Sequence, residues 1–245
     1  MKKGIRKIYQ EVAPTYELVN HVLTFGMDIL WRKRAARLAA KISAGGRYVS
    51  RTSRPFRILD VCSGTGEMAR DLAVRMDRKT APKALIYAAD GSPSMISMAK
   101  NKKHLRTVTF TLADAERLPF PDRTFDLITI SFSTRNLNPN PQAMLSYLQE
   151  FIRILKPGGT FLNLETSQPP LPIIKTLYHL YIRSVVKPLG HLISGSRGGY
   201  NYLSYTMSRF YDAQGFSALC RKAGFSSVRH RLLFLGVAAI HSAQK

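Results

Sequence analysis

Acid is what this 245-residue chain has little of: 15 Asp and Glu stand against 37 Lys and Arg, a formal net charge of +22. A surface so biased attracts polyanions, either nucleic acid or the anionic face of a membrane. It says nothing about fold, and a basic bias shared by every protein of the source would give the same balance. Cysteine is scarcer still. Cys62 and Cys220 lie far apart and form no metal-ligand spacing, which excludes a disulfide framework and a structural zinc site and suits two reduced thiols in a cytosolic protein. No run reaches the roughly 18 apolar residues that a spanning helix needs. The opening "MKKGIRKIYQEVAPTYELVN" has no long apolar core and no small-residue cleavage site, so it does not read as a signal peptide. The expectation is a cytoplasmic chain, peripheral at most at the inner face of a membrane.

What is present is rhythm. Residues 1–43 read as helical, with Val22, Leu23, Ile29, Leu30, Leu38 and Ile42 near the helical period and an aromatic, basic stretch around Trp31. "AGGRYVSRTSRP" breaks the pattern as a linker. After it, short apolar runs alternate with helical segments: "FRILDVC", a helix near 67–76, "ALIYAAD", a helix near 92–100, "VTFTLAD", "FDLITISF", a helix near 142–155, and "TFLNLE". Strict alternation implies right-handed crossovers and a parallel sheet with helices on both faces, a doubly wound α/β core. Residues 168–210 change character, being proline-opened, basic, rich in tyrosine and free of Asp and Glu, and read as an insertion over the ligand-binding edge. A helix near 213–223 and the strands "SSVRHRLLF" and "GVAAIHSA" then close a seven-stranded sheet with an antiparallel edge pair. The organisation expected is one domain: an N-terminal helical cap (1–50), a core (55–167), a lid (168–210) and a C-terminal helix with edge strands (211–245).

The loop "VCSGTGE" follows the first strand, where open α/β sheets contact their ligands. Gly64 and Gly66 let backbone pass close to a ligand. No Lys-Ser/Thr follows, which excludes a nucleotide P-loop, and the third glycine of a dinucleotide fingerprint is missing. A lone Gly-x-Gly also suits a plain tight turn; the neighbours decide. Asp60 precedes the loop, Asp90 ends the second run where an acid can accept from both ribose hydroxyls, Asp114-Ala115 ends the third beside an adenine, and Ser131 ends the fourth. Together they describe an adenosine pocket without a pyrophosphate.

Here "ILDVCSGTGEMA", "AADGSPSMISMAK", "DAERLPFPDRTFDLITISFSTRN" and "RILKPGGTFLNLE" resemble the successive motifs of class I S-adenosylmethionine-dependent methyltransferases, Rossmann-like in fold. With "YELVNHVLTFGMDILWR", "GGYNYLSYTMSRF" and "GFSSVRHRLLFLGVAAIH" they resemble, over nearly the whole chain, the family that C-methylates ubiquinone and menaquinone precursors. The resemblance implies that Thr65, Asp90, Asp114, Ala115 and Ser131 contact S-adenosyl-L-methionine, with Gly64 and Gly66 shaping the loop. It adds Tyr16 to the acceptor pocket. Departures from the family pattern fall at Ser63, Glu67, Ser133-Thr134 and Gln168.

Carbon methylation of a hydroquinone needs an electron-rich ring carbon in line with the methyl group, and loss of a phenolic proton raises that carbon's nucleophilicity. Arg135 and Asn136, just past the fourth strand, suit the stabilisation of an aryloxide, though Arg stays protonated and is not itself a base. None of the six histidines has metal spacing and no metal is expected; His179 is the one candidate proton acceptor. Tyr178, Tyr181, Tyr200, Tyr202 and Tyr205 could line a channel for a polyprenyl tail, and basic residues of the lid and around Trp31 could rest on anionic lipid. The reading favoured is methylation of demethylmenaquinol to menaquinol. A ubiquinone precursor or another aromatic lipid, an RNA substrate, and a non-catalytic cofactor-binding protein are the alternatives. RNA is disfavoured because no RNA-binding module or pyrimidine-type cysteine pair accompanies the charge. Oligomeric state is left open.

Overall fold

The computed structural model describes residues 13–45, 54–76, 84–138 and 140–245. The apolar runs form seven strands: β1 (Phe56–Val61), β2 (Ala84–Asp90), β3 (Thr109–Leu112), β4 (Phe125–Ser131), β5 (Leu155–Thr166), β6 (Val228–Leu233) and β7 (Ala238–Gln244). They lie in one sheet in the order β3-β2-β1-β4-β5-β7-β6. β1 to β5 pair in parallel, and β7 runs antiparallel between β5 and β6. Strand order reverses between β1 and β4, so a crevice opens at their carboxyl ends.

Period-two alternation sends neighbouring side chains to opposite faces. Leu59, Ile128 and Phe161 join one core cluster, while Ile58, Leu127 and Leu162 join the other. The first is covered by α5 (Pro141–Ile154) and α9 (Ala213–Ala223), the second by α2 (Met27–Gly45) and α3 (Glu67–Met76). α4 (Pro93–Lys100) completes this side. Caps fix the helix starts: Asn140 accepts from the Ala143 amide (2.8 Å) and Asp212 from the Gly215 amide (2.6 Å). Pro141 and Pro93 begin their helices, and Gly224 ends α9 in the left-handed region (φ 111°).

The N-terminal stretch, read as continuously helical, is two helices, α1 (Tyr16–Leu23) and α2, separated by a turn at Thr24–Gly26. Phe25 and Gly26 take positive φ (52° and 73°), which no helix continues through. Residues 1–12 and most of the linker reading lie outside the described residues. The 168–210 insertion is helical: α6 (Pro172–Tyr181), a π turn (Ile182–Val186), α7 (Lys187–Ser194) and α8 (Arg197–Arg209). Its Tyr178, Ile182, Val186 and Tyr200 pack on Val19 and Leu23 of α1, a third apolar cluster beside the sheet. Among the described residues, no helix is long and apolar enough to cross a membrane.

Candidate active site

The carboxyl ends of β1, β2, β3 and β4, roofed by α1 and the lid, enclose one cavity. Its floor is the loop after β1. Gly64 and Gly66 adopt φ of 55° and 83°, and Cys62 is also left-handed at 52°. Asp90, at the end of β2, locks this loop: its Oδ2 accepts the Gly64 amide and its Oδ1 the Ser92 amide, each at 2.8 Å. Burial nevertheless raises the Asp90 pKa, because those two amides only partly replace water.

Gly64, Thr65, Asp90, Asp114, Ala115 and Ser131 all face the cavity, as do Tyr16, Arg135 and Asn136. Two of the expected binding residues do not. Gly66 sits behind the wall, where an added Cβ would lie 2.6 Å from the Leu105 side chain. Asp60 is fully buried behind the loop, its Oδ1 accepting from the Thr129 hydroxyl (2.8 Å). Burial, with the Asp90 charge nearby, pushes its pKa up to about 7.

Arg135 occupies a 3-10 turn (Thr134–Leu137) past β4 and is 6% exposed. Glu165, at the end of β5 and 1% exposed, accepts from the Arg135 Nη1 (2.6 Å) and from its backbone amide (3.1 Å). The same Nη1 donates to the Phe132 carbonyl at 2.7 Å. Tyr16 is close enough for the Arg135 field to lower its pKa, but burial is the larger effect and keeps the phenol protonated. Phe132 itself holds φ of 53°, a strained backbone at the mouth of the site.

His179 is not on the wall; its Nε2 shares a hydrogen bond with Gln168 (2.7 Å), whose amide donates to the Met207 carbonyl (2.9 Å). The departure at Gln168 is thus a tie between α6 and α8. Nor do the five lid tyrosines line the cavity: the lid contributes Val186, Leu203 and Met207. Tyr178 and Tyr200 are core residues, Tyr181 donates to the Leu23 carbonyl (2.6 Å), and Tyr205 faces out. Thr134 is buried and donates to Asn163, behind the wall. Cys220 is buried and Cys62 half-buried on the cavity wall; desolvation raises the pKa of both thiols, Cys220 to about 12, and disfavours the thiolate in each.

Sequence reasoning missed a charged cluster on the α2 side of the cavity. Trp31 and Arg32, read as part of a basic face, are buried (6% and 4% exposed), whereas Lys33, Arg34 and Arg37 are exposed. Asp28, Arg32 and Glu67 face the cavity together. The i,i+4 spacing of Asp28 and Arg32 was the available signal.

A seven-stranded sheet of this order, with an acid at the end of β2 and a glycine loop after β1, defines a class I S-adenosylmethionine-dependent methyltransferase. The loop fits that cofactor: a Cβ on Gly64 would meet nothing within 4 Å, so glycine leaves open space facing the cavity. A SAM-dependent methyltransferase structure from Thermotoga maritima, a possible histamine N-methyltransferase, shares the fold (TM-score 0.64, 18% identity, 97% of this chain and 98% of that one). Another from Aquifex aeolicus superposes at TM-score 0.52 with 20% identity over 77% and 81%.

The whole chain, residues 1–245, matches the ubiE/COQ5 methyltransferase family, and the protein belongs to it. Demethylmenaquinone methyltransferase of Thermus thermophilus is 40% identical over 96% of this chain and 98% of its own. Ubiquinone/menaquinone biosynthesis C-methyltransferase UbiE of Geobacter sulfurreducens is 34% identical over 98% and 88%.

Proposed function

We propose that this methyltransferase methylates a ring carbon of a polyprenyl hydroquinone, demethylmenaquinol to menaquinol in quinone biosynthesis. The observation that carries the reading is the convergence of Tyr16, Arg135 and Asn136 on the cavity that also holds the adenosine-type residues. The names of the Thermus and Geobacter relatives point to the same substrate class. A ubiquinone precursor is the second ring the same site suits.

When bound, the cofactor supplies an electrophilic methyl carbon. The Asp90 carboxylate is assigned to the ribose hydroxyls, Asp114 and Ala115 to the adenine, and Thr65 and Ser131 to further cofactor contacts. Asp60 acts from behind, tying the end of β1 to β4 through Thr129. On the acceptor side Arg135, held by Glu165, supplies a fixed positive charge that lowers the cost of ionising the hydroquinone hydroxyl. Tyr16, protonated, and Asn136 donate hydrogen bonds to the same oxygen. Once the ring carbon is methylated, its displaced proton would leave to water, with Arg135, Tyr16 and Asn136 holding the ring oxygen in place. His179, occupied by Gln168, has no part in this.

Membrane docking belongs to the same reading. Ile173, Leu177 and Leu180 are 69%, 56% and 56% exposed at helical spacing along α6. Lys175, Arg183 and Lys187 accompany them in a segment without Asp or Glu. Leu18 and Val22 repeat the spacing on α1, Phe25 is exposed in the turn that follows it, and the Phe25–Tyr181 ring contact (6.4 Å) joins the two faces. An anionic bilayer suits such a surface.

The test is mass spectrometry of the lipid quinones in cells with and without the gene, paired with methyl transfer by purified protein. Accumulation of a quinone lacking one ring methyl is the expected result. An unchanged quinone pool, with label entering RNA in vitro, would overturn the reading.

A further inference from the structure

The turn Phe234–Gly236 joins β6 to β7. Ala238 at the start of β7 pairs with Thr166 at the end of β5, so this turn stands at the carboxyl end of the sheet, beside the lid. Phe234 and Leu235 both hold left-handed φ (42° and 56°), and Gly236 follows at 93°. Glycine adopts such angles freely, whereas bulky side chains there strain the backbone. Nothing in the core repays that strain: the two side chains are 55% and 61% exposed, and neither belongs to an apolar cluster. Two large apolar residues held out in water on a strained backbone point to a use outside the fold.

The turn is also fixed in place. A Cβ on Gly236 would lie 2.6 Å from Pro170 Cδ and 3.3 Å from Pro169 Cα, so the backbone sits directly on the prolines that open the lid. The Ser167 amide donates to the Val237 carbonyl (2.9 Å), and Val237 packs on the cluster shared by α1 and the lid. Just past Pro170, Leu171 and Ile173 are exposed, and the turn continues their apolar surface toward the sheet edge. The surroundings are cationic. From Ser167 to Lys245 the one acidic residue is Asp212, against ten Lys and Arg, and Arg229 and Arg231 stand exposed on β6, the strand that leads into the turn.

We propose that the Phe234–Leu235 turn is a wedge that inserts below the headgroups of an anionic bilayer and anchors the carboxyl end of the sheet there. The inference rests on the membrane-docking reading and extends it from the two helices to the β6–β7 turn. Charge complementarity selects the occupant: large apolar side chains bordered by cations, with acids excluded, match an anionic lipid surface. A turn already fixed against the lid inserts two side chains without ordering any backbone, which keeps the entropic cost of docking low.

The test is sedimentation with vesicles of mixed phosphatidylcholine and phosphatidylserine, joined to tryptophan emission of Phe234→Trp. Phe234→Ser/Leu235→Ser should weaken vesicle affinity at least ~10-fold, and Leu235→Gly by ~3- to 10-fold. Leu235→Gly, relieved of left-handed strain, should melt no lower than wild type, so that its lost binding is not lost folding. Emission of Phe234→Trp should shift to the blue on vesicles and be quenched by brominated phosphatidylcholine, while the buried Trp31 of wild type stays unquenched. Full affinity in the folded double variant, or emission that vesicles leave unchanged, would overturn the wedge and return the contact to α6 and α1. A concentration-dependent dimer that the double variant abolishes would overturn it too, giving the turn to a second copy of this chain. Wild-type protein that fails to sediment at all would instead remove the docking reading, and the wedge with it.

Discussion

Gly64 and Gly66 stand two residues apart in one loop with the same backbone hand, yet alanine should injure different properties at the two positions. Both have positive φ, so either substitution stores roughly 1–2 kcal/mol of left-handed strain. At Gly64 nothing in the protein lies within 4 Å of the added carbon, and strain is the whole cost to the fold. At Gly66 the carbon would lie 2.6 Å from Leu105 and 3.4 Å from Ala99. Leu105 is 2% exposed and Ala99 fully buried, so neither has room to yield. Overpacking of this kind adds about 1–3 kcal/mol, for a total of roughly 2–5 kcal/mol. In a chain of this size that lowers the melting temperature by about 4–20 °C, against about 2–8 °C for Gly64→Ala. Binding should run the other way. The Gly64 carbon enters the cavity, and S-adenosylhomocysteine should bind at least ~10-fold more weakly, whereas folded Gly66→Ala should bind within about threefold of wild type. Scanning calorimetry and titration calorimetry on the same two preparations read both effects. Wild-type affinity in Gly64→Ala, or a Gly66→Ala melting point no lower than that of Gly64→Ala, would refute the division of labour.

Three further outcomes follow from the same geometry. Burial raises the Asp60 pKa from 3.8 to about 7, so the folded chain holds that proton more tightly than the unfolded one. The stability this gives is complete below about pH 4 and lost as pH rises through 7. Urea midpoints of wild type should therefore fall more steeply between pH 5 and 8 than those of Asp60→Asn, and parallel profiles would count against it. Glu165→Gln leaves the buried Arg135 charge without its counter-ion and should cost about 3–5 kcal/mol in urea unfolding. Methyl transfer should slow in that variant while S-adenosylhomocysteine affinity holds; a stability change under about 1 kcal/mol would show the pair to be dispensable. Leu177→Glu/Leu180→Glu should abolish sedimentation with phosphatidylserine vesicles at low salt without lowering the melting temperature, since both side chains are exposed. Retained sedimentation would move the membrane contact to another surface.

The doubly wound core was legible because its signals are local. Apolar runs, prolines and capping side chains act within a few residues, and the alternation of strand and helix leaves few ways to connect them. Local order also brings successive strand ends to one crevice, so Asp90, Asp114, Ala115 and Ser131 could be placed there from position, whereas Arg135 was chosen for the chemistry that the family resemblance implies. Tertiary packing decided what each of these groups faces. Asp60 and Gly66 read as cofactor-binding residues, yet the first lies against Thr129 and the second against Leu105 and Ala99. Gly26 turns the N-terminal segment into two helices, and the second turns Arg32 inward to meet Glu67, 35 residues on. Glu165 reaches Arg135 across 30 residues. Periodicity records which way a side chain points from its own backbone, whereas the partner it meets depends on how separate elements pack, and only the folded chain supplies that.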